Sequence, residues 1–160
     1  MSRMVALDYE GIAEALRRRL HDKLVAPNGP ITFVNRRLRP WDDSSAAEQP
    51  CLYIEQRGMQ VTQLSQSGHF SLSKYTIEYM LWVYLRIDSQ PGSIPSTQIN
   101  QVYGAISQAL KPDLEGNWLT LGLPDMITHC WIEGRVEIIE SLDDQQSVML
   151  IPVYIATGDY

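Results

Sequence analysis

Thr128-His-Cys-Trp-Ile-Glu-Gly-Arg-Val-Glu-Ile-Ile-Glu140 and, beyond the acidic tip Asp143-Asp144-Gln145-Gln146, the return run Val148 to Ala156 decide how this chain folds. In the first run Cys130, Ile132, Gly134, Val136 and Ile138 are apolar or small, and His129, Glu133, Arg135 and Glu137 alternate with them. That is the period of a strand with one buried face and one wet face. The return run is apolar on both faces and carries Pro152, which has no N–H for a ladder, so an edge position or a bulge is expected there. An edge strand this hydrophobic needs cover, for which another subunit is one source.

Upstream, the order of elements reads helix, two strands, helix. The first helix is punctuated by Asp8 as N-cap, by Glu10 at its positive end and by the stop Pro27-Asn-Gly-Pro30. Its apolar stripe is Tyr9, Ile12, Leu16, Leu20 and Lys23/Leu24, while Glu14, Arg18 and Asp22 at successive i,i+4 steps predict an exposed salt-bridged face. Residues 31–34 form a short apolar run and 35–50 read as a loop. A strand follows at about Cys51 to Gln56. Residues 57–73 are rich in Ser, Gln and Gly, with Val61, Leu64, Phe70 and Leu72 as their few apolar anchors. This composition predicts a hairpin arm, mobile in the free protein, that orders on a partner. Lys74 to Asp88 is the strongest strand, with Tyr75, Ile77, Tyr79, Leu81, Val83, Leu85 and Ile87 on one face and Met80, Trp82 and Tyr84 on the other. Both faces need cover, so this strand is central, and its second face meets either the chain itself or a partner. Ser96 is placed to cap a second helix with the stripe Ile99, Val102, Tyr103, Ile106, Leu110, ending at Pro112. There is no internal repeat. The expected fold is α+β, a four- to five-stranded, mostly antiparallel and possibly mixed sheet with two helices packed on one face, in one domain spanning 1–160.

The net charge of -6 and the pI near 5.0 argue against a molecule built to neutralise phosphates. No stretch approaches the ~20 apolar residues of a membrane span and no secretory segment leads the chain, so a soluble, unexported protein is expected. Cys51 and Cys130 both lie in apolar strand runs, which predicts buried, reduced thiols and disfavours a disulfide.

His129 and Cys130 are neighbours, but adjacent strand residues face opposite ways and cannot form a nucleophile–base pair. The three histidines are scattered, and neither Asp42-Asp43 nor Asp143-Asp144 sits in a calcium-loop pattern. No glycine-rich phosphate loop is present. No catalytic residue, metal or cofactor is therefore predicted. The basic cluster Arg36, Arg37, Arg39 beside Trp41 is followed at once by Asp42, Asp43 and Glu48, so pairing of these charges within or between subunits outweighs a grip on DNA. The outer side of the second helix, Gln98, Gln101, Ala105 and Gln108, carries no charge until Lys111. Glutamine costs less to desolvate than Lys or Glu, so this face, with Met80, Trp82, Tyr84, Val61, Leu64 and Phe70, is predicted to meet partners.

One resemblance runs through the chain: the basic helix Ile12-Ala-Glu-Ala-Leu-Arg-Arg-Arg-Leu20, Arg39-Pro-Trp41, Gln49-Pro-Cys-Leu-Tyr-Ile54, the aromatic strand Tyr75-Thr-Ile-Glu-Tyr79, the helix Ile99 to Pro112, and Leu121-Gly122 followed by His129-Cys-Trp-Ile-Glu-Gly134. In this order the chain resembles the tail terminator, or tail completion, proteins of long-tailed, lambda-like phages. The resemblance implies a non-enzymatic virion protein of the tail-neck region, assembled in the host cytoplasm. It implies a homo-hexameric ring that caps the tail tube, meets the tube protein on one side and the head-neck connector on the other, and lets DNA pass through its lumen without specific binding. A net negative charge repeated in each subunit suits such a lumen. A head-tail joining or neck component has the same requirements. A rival from another class is a ligand-binding or enzymatic α+β domain with a pocket around His129, Trp131 and Trp82.

Overall fold

Asp8 opens the first helix by accepting a hydrogen bond from the Gly11 N–H at 2.8 Å on its carboxylate, and the helix α1 runs Tyr9–Leu24. The computed structural model describes residues 6–64, 72–87, 92–140 and 146–158. The apolar stripe of α1 is buried through Ile12, Leu16, Leu20 and Leu24, whereas Tyr9 stays 37% exposed. The polar side differs from the i,i+4 expectation. Glu14 pairs with Arg17 one turn on, and lies 3.9 Å from Arg36, while Arg18 is exposed and holds no ion pair among the described residues. Long side chains choose the partner their rotamers reach, and Arg36 arrives from outside the helix.

The second helix, α2, spans Pro95–Ala109. Ser96 does not cap it. Pro95 stands at its first turn instead, with φ already set for a helix and no N–H to satisfy. Ile99, Val102, Ile106 and Leu110 are buried and Tyr103 is half-buried.

Among the described residues six strands make one sheet: β1 (Val34–Asn35), β2 (Cys51–Leu64), β3 (Leu72–Arg86), β4 (Ile127–Ile132), β5 (Glu137–Glu140) and β6 (Gln146–Thr157). The order across the sheet is β1-β2-β3-β6-β4, with β5 also on β6. Among the described strands β1 and β2 pair in parallel and the other pairs are antiparallel, so the sheet is mixed. The two-residue β1 is too short to show a period, and β5 continues the alternation of β4 in sequence, which is why six strands stand where four to five are expected from sequence. The strongest strand, β3, is central. The strand begun at Cys51 does not stop at Gln56 but shifts register between Gln56 and Gly58 and continues to Leu64 opposite Leu72. Residues 57–64 and 72–73 of the expected arm are therefore paired strand, and 65–71, with Phe70, lie outside the described residues.

Register sorts the side chains. Leu52 and Ile54, Ile77 to Leu85 at odd positions, Cys130, and Met149 to Ile155 at odd positions face the helices and join Ile12, Leu16, Leu20, Ile99 and Ile106 in one core. Each such Leu or Ile contributes about 1.5–3 kcal/mol by burial. Both helices pack on this face.

The expectation of an edge position for the return run is not met. β6 lies between β3 on one side and β4 with β5 on the other. The run Thr128 to Glu140 is not one strand: Gly134, at φ 100°, breaks it into β4 and β5. Pairing passes from Ile132↔Val153 to Glu137↔Leu150, so residues 133–136 bulge opposite 151–152. Pro152 sits at that gap. Its carbonyl accepts from the Glu133 N–H at 3.3 Å, and the N–H it lacks falls on the same side, where the ladder is already interrupted. The bulge, not an edge, accommodates the proline.

Candidate functional site

The helices leave the other face of the sheet uncovered, and aromatic side chains line it. They fall into two groups. In the first, Tyr53, Cys51 and Tyr84 are buried with Phe33, Trp41, Trp82 and Val148 packed against them. The segment 36–50, folded into two short 3-10 turns at Trp41–Asp43 and Ala46–Glu48, forms the lid of this group. Trp41 meets Tyr84 edge-on at 5.0 Å, and the Tyr84 hydroxyl donates to the Arg39 carbonyl at 2.7 Å. Arg39 Nε donates to the Tyr53 hydroxyl at 3.0 Å, and its guanidinium carbon lies 5.6 Å from the Phe33 ring centroid. At that distance the cation lies within reach of the ring quadrupole.

These contacts place the predicted charge cluster. Arg36 forks onto both oxygens of Glu10 at 3.0 and 3.1 Å, and the Arg39 Nη2 reaches Glu48 at 3.4 Å. Glu10 is held below the usual carboxylate range by this bond and by the charge of Arg36. Arg37, Asp42 and Asp43 are exposed and form no ion pair among the described residues. Of the three predicted sheet residues, the chain itself buries Tyr84. Trp82 and Met80 are half-buried, and the Trp82 Nε1–H donates to Glu55 at 2.7 Å with Arg57 over its ring at 5.9 Å.

The second aromatic group lies at the β4 edge. His129 stacks on Trp131 at 5.5 Å and 10°, and Trp131 lies 5.9 Å from Tyr154 of the adjacent β6. Trp118 comes edge-on to His129 at 4.7 Å and is 67% exposed. The segment before β4 is fastened by Leu119, whose N–H donates to His129 Nδ1 at 3.1 Å and whose carbonyl accepts from the Cys130 N–H at 2.9 Å. A ring nitrogen that accepts must carry a lone pair, so His129 is neutral with its proton on Nε2. Burial likewise pushes its pKa down. Cys130, behind it in the core, is fully buried, and burial lifts its thiol to about 12. The two side chains occupy opposite faces of β4. His21 is exposed beside Asp22, and His69 lies outside the described residues.

The pocket that the sequence suggests around His129, Trp131 and Trp82 is not assembled. Trp82 pairs across from Tyr53 and Leu150 in the first aromatic group, and the open groove of about 260 Å³ beside His129 and Trp131 is walled by Ser107, Leu110, Lys111 and Pro112 instead. Among the described residues no three His, Cys, Asp or Glu side chains converge as metal ligands. No described helix is long and apolar enough to cross a membrane.

Gln101 and Gln108 of α2 are exposed, Gln98 and Ala105 half-buried, and Ala105 and Gln108 help line a groove between α1 and α2. Val61 is 50% exposed on β2, next to Met59 at 42%; Leu64 closes that strand opposite Leu72. Sequence reading missed Trp118 and Tyr154. A tryptophan inside the polar stretch Glu115-Gly-Asn-Trp118 was the available signal for the first, while Tyr154 was hidden in a run that is apolar on both faces.

No protein-family model matches the chain, and no curated protein matches it. Among solved structures, a chain from the virion of a native gene transfer agent (GTA) particle aligns with 94% of this chain and 100% of its own length, at 13% identity and a TM-score of 0.48. A likeness at that level bears no functional conclusion.

Proposed function

We propose that this chain is a structural subunit of a phage-like virion, a tail terminator that forms a homo-hexameric ring on the end of the tail tube and presents its other side to the head-neck connector. The observation that supports this reading is the helix-free face of the sheet. Trp82, Met80, Trp131 and Tyr154 lie half-exposed on it and Trp118 stands open to solvent beside them. A monomer has no use for so much uncovered aromatic surface, whereas a subunit packed among others does. The resemblance of the sequence to tail terminators supplies the particular assembly. In this reading the chain does no chemistry, and its Cys130 thiol is fully buried with its pKa raised. The net charge of -6, repeated around the ring, lets DNA slide through rather than bind.

The purified chain is tested by sedimentation across a concentration series. A particle of about 109 kDa, six chains of 18.2 kDa each, is the expected result. A monomer at every concentration overturns the ring. In a lysate lacking the protein, electron microscopy separates the two virion roles. Tails of irregular, excessive length support the terminator; finished tails of normal length beside unjoined heads indicate a neck component instead.

A further inference from the structure

We infer that copies of this chain join by seating the β5 edge of one copy in the groove between α1 and the 112–122 segment of the next. This contact rests on the ring reading above and names the surfaces that would build it. The first surface is β5. It pairs with β6 alone among the described residues, so its outer edge has no ladder partner there, and Ile138 and Ile139 are 48% and 56% exposed between Glu137 and Glu140. Counting the preceding bulge, Glu133, Glu137 and Glu140 stand against Arg135, an excess of negative charge. An unpaired, apolar edge of this kind is normally blocked or used.

The second surface is a groove of about 470 Å³ walled by α1 and the segment after α2. Its rim carries two large apolar side chains open to solvent, Leu114 at 68% and Trp118 at 67%. Arg18 lines it, exposed and without an ion pair among the described residues. A neighbouring groove of about 320 Å³ shares Arg19 and Asp113 with it and adds Lys23 and Lys111. Asp113 is already occupied by Arg19 at 2.9 Å and Lys23 at 3.1 Å, so the linings together present Arg18, Arg19, Lys23 and Lys111 against Asp22 and Asp113. Glu115 lies between Leu114 and Trp118 in sequence but lines neither groove. The first groove alone is balanced, Arg18 and Arg19 against Asp22 and Asp113, and the adjoining Lys23 and Lys111 leave the joined, apolar-rimmed concavity with two more cations than anions, whereas β5 is a negative, apolar strand. The two are complementary in charge and in apolar content, and they are different patches of the same chain. A contact between unlike patches is the kind that a ring requires.

The test is a charge swap. One variant carries Glu137→Arg and Glu140→Arg, the other Arg18→Glu and Lys111→Glu. All four side chains are exposed, and each variant is first confirmed folded by its thermal melt. Alone, each variant sets like charges against like and is expected to sediment as a monomer. Mixed in equal amounts, they set unlike charges together at both kinds of junction and are expected to recover the wild-type particle mass. If both variants alone keep the wild-type mass, or if their mixture stays monomeric, this contact is overturned while the ring stands. A monomeric wild type at every concentration overturns the ring and the contact together.

Discussion

His129 shows how much one side chain settles. It accepts from the Leu119 N–H, lies flat on Trp131 and meets the edge of Trp118, so the neutral Nε2–H form is built into the edge of β4. Its folded pKa is depressed by burial below the value near 6.5 of a free histidine. The sign follows: the unfolded chain binds the proton more readily, so the stability His129 contributes is present above about pH 6.5 and is lost as pH falls through its folded pKa. His129→Gln keeps an acceptor for Leu119 and removes the titration. Denaturation of this variant is expected to depend less on pH between neutrality and the acid side than that of the wild type; parallel curves would reject the assignment. The two thiols make a simpler case. Cys51 and Cys130 are fully buried and burial raises both pKa values, so a thiol reagent is expected to label neither until denaturant is added. Sequence alone placed both cysteines in apolar strands. It did not show that Cys51 looks to the aromatic face and Cys130 to the helices, because that depends on register.

Among the elements, α2 is fastened at its C-terminal end from outside. Arg19 of α1 donates to the Ala109 carbonyl at 2.8 Å, to the Lys111 carbonyl at 2.7 Å and to Asp113 at 2.9 Å. A cation at that end satisfies orphan carbonyls and complements the helix dipole. Arg19→Met is expected to cost on the order of 2 kcal/mol in urea unfolding, since charged hydrogen bonds to otherwise unpaired groups are lost. The bond from Arg19, then that from Lys23, holds Asp113 near a pKa of about 2, so its contribution is present above the usual carboxylate range and lost as pH falls toward 2. The variant should therefore also flatten the acid limb of the stability curve. The bulge between β4 and β5 makes a second expectation. Gly134 at φ 100° adopts a conformation that side chains resist, and Gly134→Ala is expected to lose on the order of 1 kcal/mol. An unchanged melting temperature would show that the bulge relaxes without cost. Neither device is periodic. The run Thr128 to Glu140 reads as one strand because alternation persists through Gly134, and only the pairing with β6 reveals the break.

For the whole molecule, the surfaces left open matter more than the core. The uncharged flank of α2 remains a candidate for subunit contact, with Gln101 and Gln108 exposed and Gln108 on the rim of the groove shared with Arg19 and Lys111. Gln101→Glu with Gln108→Glu adds like charge to every copy of such an interface and is expected to shift sedimentation toward smaller species; an unchanged particle mass would remove this flank from the assembly. Caps, breakers and periods are local and each residue carries its own preference, so the helices, the central strand, the α+β class and the two-faced character of Met80, Trp82 and Tyr84 are legible in the chain before it folds. Long-range packing made β6 interior with Pro152 at a bulge, and it paired Arg36 with Glu10, 26 residues away, instead of its neighbours Asp42 and Asp43. It alone brought Trp118, His129, Trp131 and Tyr154 into one row. Strand order and charge pairing are set by which distant segments pack together, and a local period holds no record of that choice.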